Sequence, residues 1–561
     1  MVSVPKRIRP DVWLFAVLLL VLVVLVLYPL WQVVYLALTD SGLFSLAVIR
    51  RTWSDPSNQL ALKRSLHVSV SAAAIATVLG SVLAWIATRT DMPYSRLMRS
   101  LLMAPFLIPP FIGAIAWLQL LGPVGYLNKL LMWMLGRSEP LFSIYGAPGI
   151  ILVMALHNYP IVYLTVSTAL EGMDSTLEES ALMSGASRWR VLWDITLPVV
   201  APATTGAAFL VFSANMANFG VPSLLGRSRG YLVLTTKIYQ AIQSFGLENN
   251  FEIASALALQ LLIVSTLALL VQKVYLGRKR YTVLSGKGSH PQVMRMGPFR
   301  WLLLGFCGAV FFVTSVAPMA AVLLTSLIRA IGVAPVPSNW TLANYVYVLV
   351  QSPNTVRAMR NSVALGLLAA TIATAIGGTI AYFTVRSRIR GRQVADFLGS
   401  MPHAVPGTVL GLALILAWIK PAFGPSLYNT PWIILLAYVA HYLTMSIRTI
   451  SASLSQVHES LDEAARMSGA TASEATRHII LPLIRPGLVA SWFLVLMPCL
   501  RELTLSTLLW SVGNETIGVA VYNMSEGGQA PYAAAMGIVL ILVVLFGNLA
   551  TRRVTKGKYG F

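Results

Sequence analysis

Charged residues are scarce in this sequence of 561 residues: they make up 11% of it, while 57% is hydrophobic and the mean hydropathy is +0.73. A water-soluble protein of this size needs more polar sequence than this to cover its surface, so a soluble fold is excluded. The hydrophobic residues form runs of about 20 residues, the length that an α-helix needs to cross a bilayer. The sequence therefore predicts a membrane protein.

Cysteine is nearly absent, and the two cysteines, Cys307 and Cys499, lie inside apolar runs. This setting is typical of packed free thiols rather than of a disulfide or a metal pair. The sequence contains no G-x-x-x-x-G-K-[ST] motif, the phosphate-binding loop of many ATPases. The formal net charge of +21 comes largely from basic residues at the edges of hydrophobic runs, which is typical of membrane topology and contact with anionic lipid rather than of nucleic-acid binding.

Twelve hydrophobic runs divide the chain, and each is continuously apolar instead of alternating between apolar and polar residues. Continuous runs are typical of transmembrane helices, whereas alternation is typical of a barrel. The sequence predicts an all-α polytopic membrane protein with about 12 transmembrane helices. The runs lie near 13–38, 62–88, 101–121, 148–170, 199–221, 251–276, 301–328, 361–385, 397–419, 431–452, 486–509 and 531–550.

Clusters of lysine and arginine follow alternate hydrophobic runs. Such clusters mark the cytoplasmic side of a membrane, so we expect a multi-pass protein of the bacterial plasma (inner) membrane with both termini in the cytoplasm. The basic residues are Lys6, Arg7 and Arg9, then Arg89, Arg96 and Arg99, then Arg278, Lys279, Arg280, Lys287, Arg295 and Arg300, then Arg386, Arg388, Arg390 and Arg392, and finally Arg552, Arg553, Lys556 and Lys558.

The two halves of the chain repeat each other. Residues 64–90 align with 361–387 at an offset of 297. The polar stretch EESALMSGASRWRVLWDITLP, residues 178–198, recurs as DEAARMSGATASEATRHIILP, residues 462–482, at an offset of 284. Each half then has six spans in one orientation, which is a parallel repeat about an axis along the membrane normal.

Domain boundaries follow from this repeat. The first half covers 1–276 with a core at about 62–276, and the second covers 301–561 with a core at about 357–550. Residues 277–300 between them are polar, basic and rich in glycine and proline, as expected of a cytoplasmic linker. We expect a translocation path at the interface of the two halves.

The repeated polar stretches predict a short helix, a tight turn and a second helix on the cytoplasmic surface. Small residues allow another backbone to approach closely, and the terminal proline can open the next span because the first helical turn needs no N–H at that position. A single copy would suit a plain connecting loop. Two copies with one spacing favour a shared function.

These stretches resemble the cytoplasmic EAA loop of ABC importer permeases, in which a short helix docks in a groove of the ATPase subunit. The resemblance implies the type I importer (MetI-like) fold, no bond-making chemistry in this chain, two copies of an ATPase subunit that bind ATP and Mg, and a periplasmic or lipid-anchored substrate-binding protein. Ser180 departs from the family pattern, which has alanine there. The implied ATPase-coupling residues are Glu179, Ala181, Gly185 and Pro198 in the loop at 174–198, and Glu463, Ala464, Ala465, Gly469 and Pro482 in the loop at 458–482.

Further segments narrow the resemblance. MPHAVPGTVLGLAL, NFGVPSLLG with VLTTKIYQ, and RELTLSTLLW resemble fused permeases of the ferric-iron type. That group also contains importers of thiamine, aminoethylphosphonate and phosphorylated sugars, and these cargoes stay open because selectivity lies largely in the binding protein. A proton-driven secondary transporter is the alternative of a different class, but it would need a carboxylate relay that this sequence hardly offers. A membrane enzyme is disfavoured because no catalytic or metal constellation is present.

Polar residues within the spans are candidates for the translocation path. Glu502 is expected inside the eleventh span, with Arg501 pointing about 100° away on the same helix, and Asn218 is its equivalent in the first half. These side chains either line the path or make interhelical hydrogen bonds. His157 and His441 form a second symmetric pair, for which packing is preferred because ferric iron is better served by oxygen ligands.

No resident metal site is expected in this chain. His403 has no symmetric histidine and is expected to make local hydrogen bonds. Pro105, Pro109, Pro402 and Pro406 should kink or interrupt the third and ninth spans, because a buried proline removes a backbone hydrogen bond. A gate and a static kink are both compatible with these prolines.

Overall fold

The computed structural model describes residues 10–40, 42–244, 249–278, 293–332, 336–387, 389–458 and 460–554. These residues are helical apart from loops and one short hairpin, in which Thr39–Asp40 pairs with Leu43–Phe44. Some of the predicted basic clusters and most of the predicted linker lie outside the described residues: Lys6, Arg7, Arg9, Lys279, Arg280, Lys287, Arg388, Lys556 and Lys558.

The prediction of about 12 transmembrane helices is confirmed. Within the described ranges, 11 helices are long and apolar enough to cross a membrane, and one bent helix pair brings the number to 12. The first half contains Pro10–Leu22 with Tyr28–Ala37, Pro56–Arg89, Pro110–Leu121 with Tyr126–Leu135, Ala147–Glu171, Leu197–Ala217 and Asn250–Arg278. The second half contains Phe299–Phe311 with Ala317–Ser326, Pro353–Arg386, Arg392–Ala404 with Gly407–Ile419, Pro431–Ser455, Leu481–Leu500 and Ala530–Val554.

Shorter helices fill the connections between the spans. In chain order they are Ala47–Ser54, Ser95–Leu101, Ala104–Leu107, Ser175–Met183, Arg188–Val191, Gly220–Gly226, Arg227–Arg229, Leu234–Gln243, Pro337–Asn339, Ala343–Val346, Tyr347–Gln351, Ser460–Met467, Ala472–Ala475, Thr504–Leu509 and Ile517–Glu526.

Four spans contain a wide, π-helical turn of five residues, and each turn ends two residues before a proline. A proline has no N–H to donate and its ring clashes with the carbonyl four residues earlier, so a locally wider helix accommodates it without a break. The turns are Val23–Leu27 before Pro29, Leu192–Thr196 before Pro198, Phe312–Val316 before Pro318, and Thr476–Ile480 before Pro482.

Four predicted spans are interrupted. The run at 397–419 bends by 111° between Ala404 and Gly407, and the run at 101–121 is divided into three short helices, as the prolines of these two spans predict. The runs at 199–221 and 486–509 were predicted to be continuous, which is wrong, because they end as helices at Ala217 and Leu500 and a new short helix follows each. Apolar residues resume after each interruption, so the hydropathy of the whole run could not reveal it.

The two halves are interlocked through their first helices. Phe15 of the first span packs on Phe383 of the eighth, with ring centroids 5.2 Å apart. In the opposite direction, the Thr325 hydroxyl of the seventh span forms a hydrogen bond of 3.0 Å with the Tyr126 hydroxyl of the first half. Cys307 is also buried against helices of the first half. The repeat in the sequence does not reveal this exchange, because it says nothing about which half each first span contacts.

Glycine permits the closest helix contact within each half. The second and fourth spans cross at Gly80, where an added Cβ would lie 2.8 Å from the Tyr159 carbonyl oxygen. The eighth and tenth spans cross at the equivalent Gly377, where an added Cβ would lie 2.6 Å from the Ser446 Cβ. Small residues at such crossings let the two backbones approach, which is how helices commonly associate in membranes.

We expect Gly377→Ala to destabilise the second half by about 1–3 kcal/mol, because the added methyl group overpacks a contact with no free space. The adjacent Gly378→Ala is the matched control, since its Cβ would meet the nearest atom at 3.6 Å, an ordinary contact. Melting temperature in detergent and elution as a monodisperse peak are the measurements. Equal melting temperatures for the two variants would contradict this packing.

Candidate functional site

The first EAA loop forms a short helix, a tight turn and a continuation into the fifth span. The helix Ser175–Met183 begins after Asp174, whose carboxylate accepts a hydrogen bond of 3.0 Å from the Thr176 N–H. It ends at Gly185, where φ is +86°, and the Ala186 N–H donates to the Ala181 carbonyl oxygen at 3.0 Å. This bond closes a Schellman-type C-cap, which favours glycine because other residues rarely adopt positive φ.

The second EAA loop repeats this geometry. Its helix, Ser460–Met467, ends at Gly469 with φ of +88°, and the Ala470 N–H donates to the Ala465 carbonyl oxygen at 3.0 Å. Glu463 and Ala464 are exposed, and Ala465 is buried. In the first loop, Glu179 is exposed and Ala181 is half-buried.

The structure corrects the expectation for the prolines of these loops and gives each glycine a role in the turn. A Cβ added at Gly185 or Gly469 would meet nothing within 4 Å among the described residues, and the approach of another backbone to these glycines stays a prediction. Pro198 and Pro482 do not open a new span, because the helix that contains each proline begins earlier, at Arg188 and Ala472, and passes through a π-helical turn. The wide turn supplies the space that a helix start would otherwise provide.

A buried ion pair anchors the first loop, and sequence analysis missed it. Nη1 of Arg89, at the end of the second span, donates to Oε2 of Glu178 at 3.0 Å, and both side chains are almost fully buried. The other carboxylate oxygen accepts a hydrogen bond of 2.6 Å from the Thr196 hydroxyl at the start of the fifth span. The only available signal was the alignment of Arg89 with Arg386, which indicates a shared position but not a partner.

The two equivalent arginines also bind equivalent backbone groups. Nη2 of Arg89 donates to the Leu170 carbonyl oxygen, and Nη2 of Arg386 donates to the Leu454 carbonyl oxygen, each at 3.1 Å. Leu170 and Leu454 lie near the ends of the fourth and tenth spans, where carbonyl groups lack intrahelical partners. Each arginine therefore ties the second span of its half to the helix that leads into the EAA loop.

The end of the predicted linker packs beside the first loop. The Met294 N–H donates to the Arg89 carbonyl oxygen at 2.8 Å, and the Asp91 N–H donates to the Met294 carbonyl oxygen at 3.1 Å. Met294 and Glu178 also line a cavity of about 500 Å³ under this loop. The end of the linker is thus attached to the end of the second span, beside the first EAA loop, and the sequence repeat contains no counterpart of this contact.

A central cavity of about 580 Å³ lies between the two halves. All four residues predicted for the path line it: His157 and Asn218 from the first half, and His441 and Glu502 from the second. The four helix interruptions reach this cavity as well, through Phe106 and Pro110, Asn218 and Gly220, Ala404 and Gly407, and Glu502 and Thr504.

Glu502 and Asn218 occupy equivalent positions after the end of a span. Glu502 accepts hydrogen bonds from the Leu505 N–H at 2.7 Å and the Ser506 N–H at 2.9 Å, and Asn218 Oδ1 accepts one from the Val221 N–H at 3.1 Å. Each side chain thus satisfies free N–H groups of the short helix that follows it. The expectation that Glu502 lies inside a helix is wrong, because the helix ends at Leu500.

Arg501 does not point away from the cavity, as a continuous helix would require. It lines the cavity beside Glu502, and its Nη1 donates to the Phe106 carbonyl oxygen at 3.0 Å. The guanidinium also lies over the Phe106 ring, 5.5 Å from its centroid.

The histidines are arranged differently in the two halves. His441 packs obliquely against His403, with ring centroids 5.9 Å apart, a contact that the sequence analysis did not predict. Phe106 takes the place of His403 in the first half, so the position that faces His441 as a histidine is a phenylalanine beside His157. Within the described ranges, no group of three or more His, Cys, Asp or Glu side chains is arranged to hold a metal ion.

The predicted prolines lie at the interruptions of the third and ninth spans. Pro109 and Pro406 are the residues before Pro110–Leu121 and Gly407–Ile419, in the extended conformation that ends one helix and starts another. Pro105 lies in Ala104–Leu107, and Pro402 lies in the last turn of Arg392–Ala404. Of these four, only Pro406 lines the central cavity.

The family of the chain follows from a sequence match to each half. The model of the binding-protein-dependent transport system inner membrane component matches residues 76–281 and again residues 363–557. The chain belongs to this family. It is therefore an inner-membrane permease subunit of an ABC importer, a transport component and not an enzyme, and its fold is the helical two-repeat permease fold expected from the EAA loops.

Full-length relatives have the same fused arrangement. The ferric transport system permease protein FbpB of Actinobacillus pleuropneumoniae is 25% identical over 552 residues, which cover 96% of this chain and 78% of that protein. The Fe(3+)-transport system permease protein FbpB 2 of Haemophilus influenzae is 26% identical over 544 residues, covering 96% of this chain and 97% of that protein.

Shorter relatives match one half. The molybdenum transport system permease protein ModB of Escherichia coli is 30% identical over 219 residues, covering 38% of this chain and 92% of that protein. A solved bacterial ABC transporter involved in the import of the acidic polysaccharide alginate matches 46% of this chain and 96% of its own chain, at 20% identity and a TM-score of 0.38.

Proposed function

We propose that this permease carries ferric iron inward, receives it from a periplasmic or lipid-anchored binding protein, and is driven by two copies of a cytoplasmic ATPase subunit that bind ATP and Mg. Both termini lie in the cytoplasm in this proposal, and the halves are 1–276 and 301–561. The observation that carries the cargo assignment is the similarity to two ferric permeases over nearly the whole chain.

The two EAA loops are the contacts with the ATPase in this proposal. Each presents one fully exposed methionine just before its glycine, Met183 at 89% exposure and Met467 at 90%. An exposed apolar side chain at equivalent positions of both loops is suited to a groove on a two-fold related pair of subunits. The acidic side chains of Glu179 and Glu463 are exposed beside them.

Movement of these loops would reach the central cavity through the spans. The fifth span begins at the first loop and ends at Ala217, next to Asn218, and the eleventh begins at the second loop and ends at Leu500, two residues before Glu502. When ATP closes the two ATPase subunits, the loops approach each other and the halves open outward, and hydrolysis restores the inward-facing state. The chain thus couples two distant sites rather than making or breaking bonds.

His157, His441, Asn218 and Glu502 line the translocation path in this proposal. The interruptions at Pro105, Pro109, Pro402 and Pro406 form its gate, because non-helical backbone at membrane depth is tolerated where it borders a water-filled cavity. The histidines contact the cargo in passing. No high-affinity site for the cargo is needed along the path, since an importer must release what it carries.

Because the chain belongs to a binding-protein-dependent transport family, a proton-driven transporter is disfavoured. Aminoethylphosphonate, a phosphorylated sugar and thiamine remain alternative cargoes within the same importer class. We expect the binding protein to determine most of the selectivity among these cargoes.

The test is reconstitution of the permease with its ATPase and binding protein in proteoliposomes. We expect uptake of ⁵⁵Fe that requires ATP and loaded binding protein and that persists when a proton ionophore is added. Uptake abolished by the ionophore would instead support a secondary transporter. ATPase stimulation by the binding protein with another cargo, and none with iron, would assign that cargo.

A further inference from the structure

The charges of the central cavity are poorly suited to a bare ferric ion. Apart from three histidines and the phenol of Tyr442, Arg501 and Glu502 are the ionisable residues among the described side chains that line it. Their equivalents in the first half, Ala217 and Asn218, are uncharged, so the second half alone supplies both charges.

Glu502 has few free oxygen lone pairs to offer a cation. Its Oε1 accepts from the Leu505 N–H, and its Oε2 accepts from the Ser506 N–H and the Ser506 hydroxyl, the latter also at 2.9 Å. The side chain is only 9% exposed. A hard cation would have to displace these donors before it gained an oxygen ligand.

Arg501 is the charged residue that remains available to bind a ligand in the cavity. A guanidinium has five N–H donors, and the structure gives this one a single protein acceptor, the Phe106 carbonyl oxygen. Its positive charge would repel Fe³⁺, whereas its planar donor set matches the oxygens of phosphate or a carboxylate.

Other groups around the cavity point to the same class of ligand. Two helices of more than ten residues, Pro110–Leu121 and Gly407–Ile419, begin at its wall, and the N-terminal end of a helix favours anions. The hydroxyl of Ser265, a lining residue that is 3% exposed, has no hydrogen-bond partner among the described residues.

We infer that the cargo enters the cavity as an oxyanion-bearing species that Arg501 binds, so that ferric iron crosses with oxyanion ligands still attached. This inference rests on the proposed ferric function. The oxyanion offsets the charge of the metal, supplies the oxygen ligands that this cavity lacks, and gives the guanidinium an acceptor. Arg501 is then the residue that selects the charge of the cargo within the membrane.

Double-label transport by the whole complex tests the inference. Binding protein is loaded with ⁵⁵Fe together with [³²P]phosphate, [¹⁴C]carbonate or [¹⁴C]citrate, and ATP-dependent accumulation of both labels is measured in proteoliposomes. We expect iron and at least one anion to accumulate in a fixed ratio. Arg501→Gln should lower both initial rates roughly tenfold, the factor that corresponds to one charge-assisted hydrogen bond, and Arg501→Lys should restore part of the rate.

Arg227→Gln is the matched control, because it removes the same charge from an exposed ion pair with Glu526 that lies outside the cavity. Its rates should equal those of the wild type. Iron that enters without any of the three labels would overturn the inference and leave the ferric function intact. An anion that enters without iron would support the Arg501 site and reject the ferric cargo, and entry of neither label would reject both.

Discussion

Glu178→Gln is expected to leave the ATPase bound to the permease but to reduce the stimulation of ATP hydrolysis by loaded binding protein on the order of tenfold. Glu178 joins the first EAA loop to both neighbouring spans, through Arg89 on one side and Thr196 on the other. Removing one partner of a buried ion pair leaves the other charge uncompensated, which costs about 3–5 kcal/mol. The loop should then move without carrying the spans with it.

Glu171→Gln is the control for this experiment. It removes the same charge from a nearby ion pair with Arg99 whose side chains are 39% and 45% exposed, and exposed pairs contribute about 0–1 kcal/mol. Its stimulation should stay within about a factor of two of the wild type. Normal stimulation and an unchanged melting temperature for Glu178→Gln would show that the buried pair does not transmit the movement.

The adjacent glutamates illustrate what a single sequence can and cannot reveal. Glu179 and Glu463 could be assigned to the EAA loops because a motif and its repeat fix their spacing. Glu178 lies about 100° from Glu179 around the helix, so one of the two has to face inward. Which one does so depends on Arg89, which is distant in sequence, and only the fold brings that residue to the loop.

The spans could be predicted because a bilayer requires long apolar runs, but their interruptions could not. The eleventh predicted span ran past Leu500 through Arg501 and Glu502, but the helix ends at Leu500, and the Glu502 carboxylate satisfies the N–H groups of the next short helix. Proline at Pro109 and Pro406 was the one local signal of such breaks. It marked the third and ninth spans correctly, whereas the fifth and eleventh carry no comparable residue at the break itself.

The four residues predicted for the path all line the central cavity, and their polarity explains why. Polar side chains are expensive in a membrane and therefore face protein or water, so symmetric polar positions indicate the interface of the halves. Arg501 was misjudged because its direction was derived from a continuous helix. Because the helix ends at Leu500, the Arg501 side chain faces the cavity and adds a positive charge to its wall.

Replacing both exposed methionines, Met183→Asp together with Met467→Asp, is expected to abolish copurification of the ATPase while the permease stays folded. Neither side chain packs against this chain, since they are 89% and 90% exposed. If they fill a groove on the ATPase, a carboxylate there would lose its hydration without gaining a partner, which is costly. Copurification and melting temperature in detergent are the two measurements.

Val512→Asp provides the control, because Val512 is equally exposed at 89% but lies at the other end of the bundle, in the connection that precedes Ile517–Glu526. That variant should keep the ATPase, and all variants should melt alike. A double variant that retained the ATPase would remove the methionines from the interface and leave other exposed pairs of the two loops as candidates, such as Glu179 with Glu463 and Leu177 with Leu461. A single variant that lost half of the bound ATPase would indicate that each loop holds one subunit independently, as the symmetric geometry of the two turns predicts.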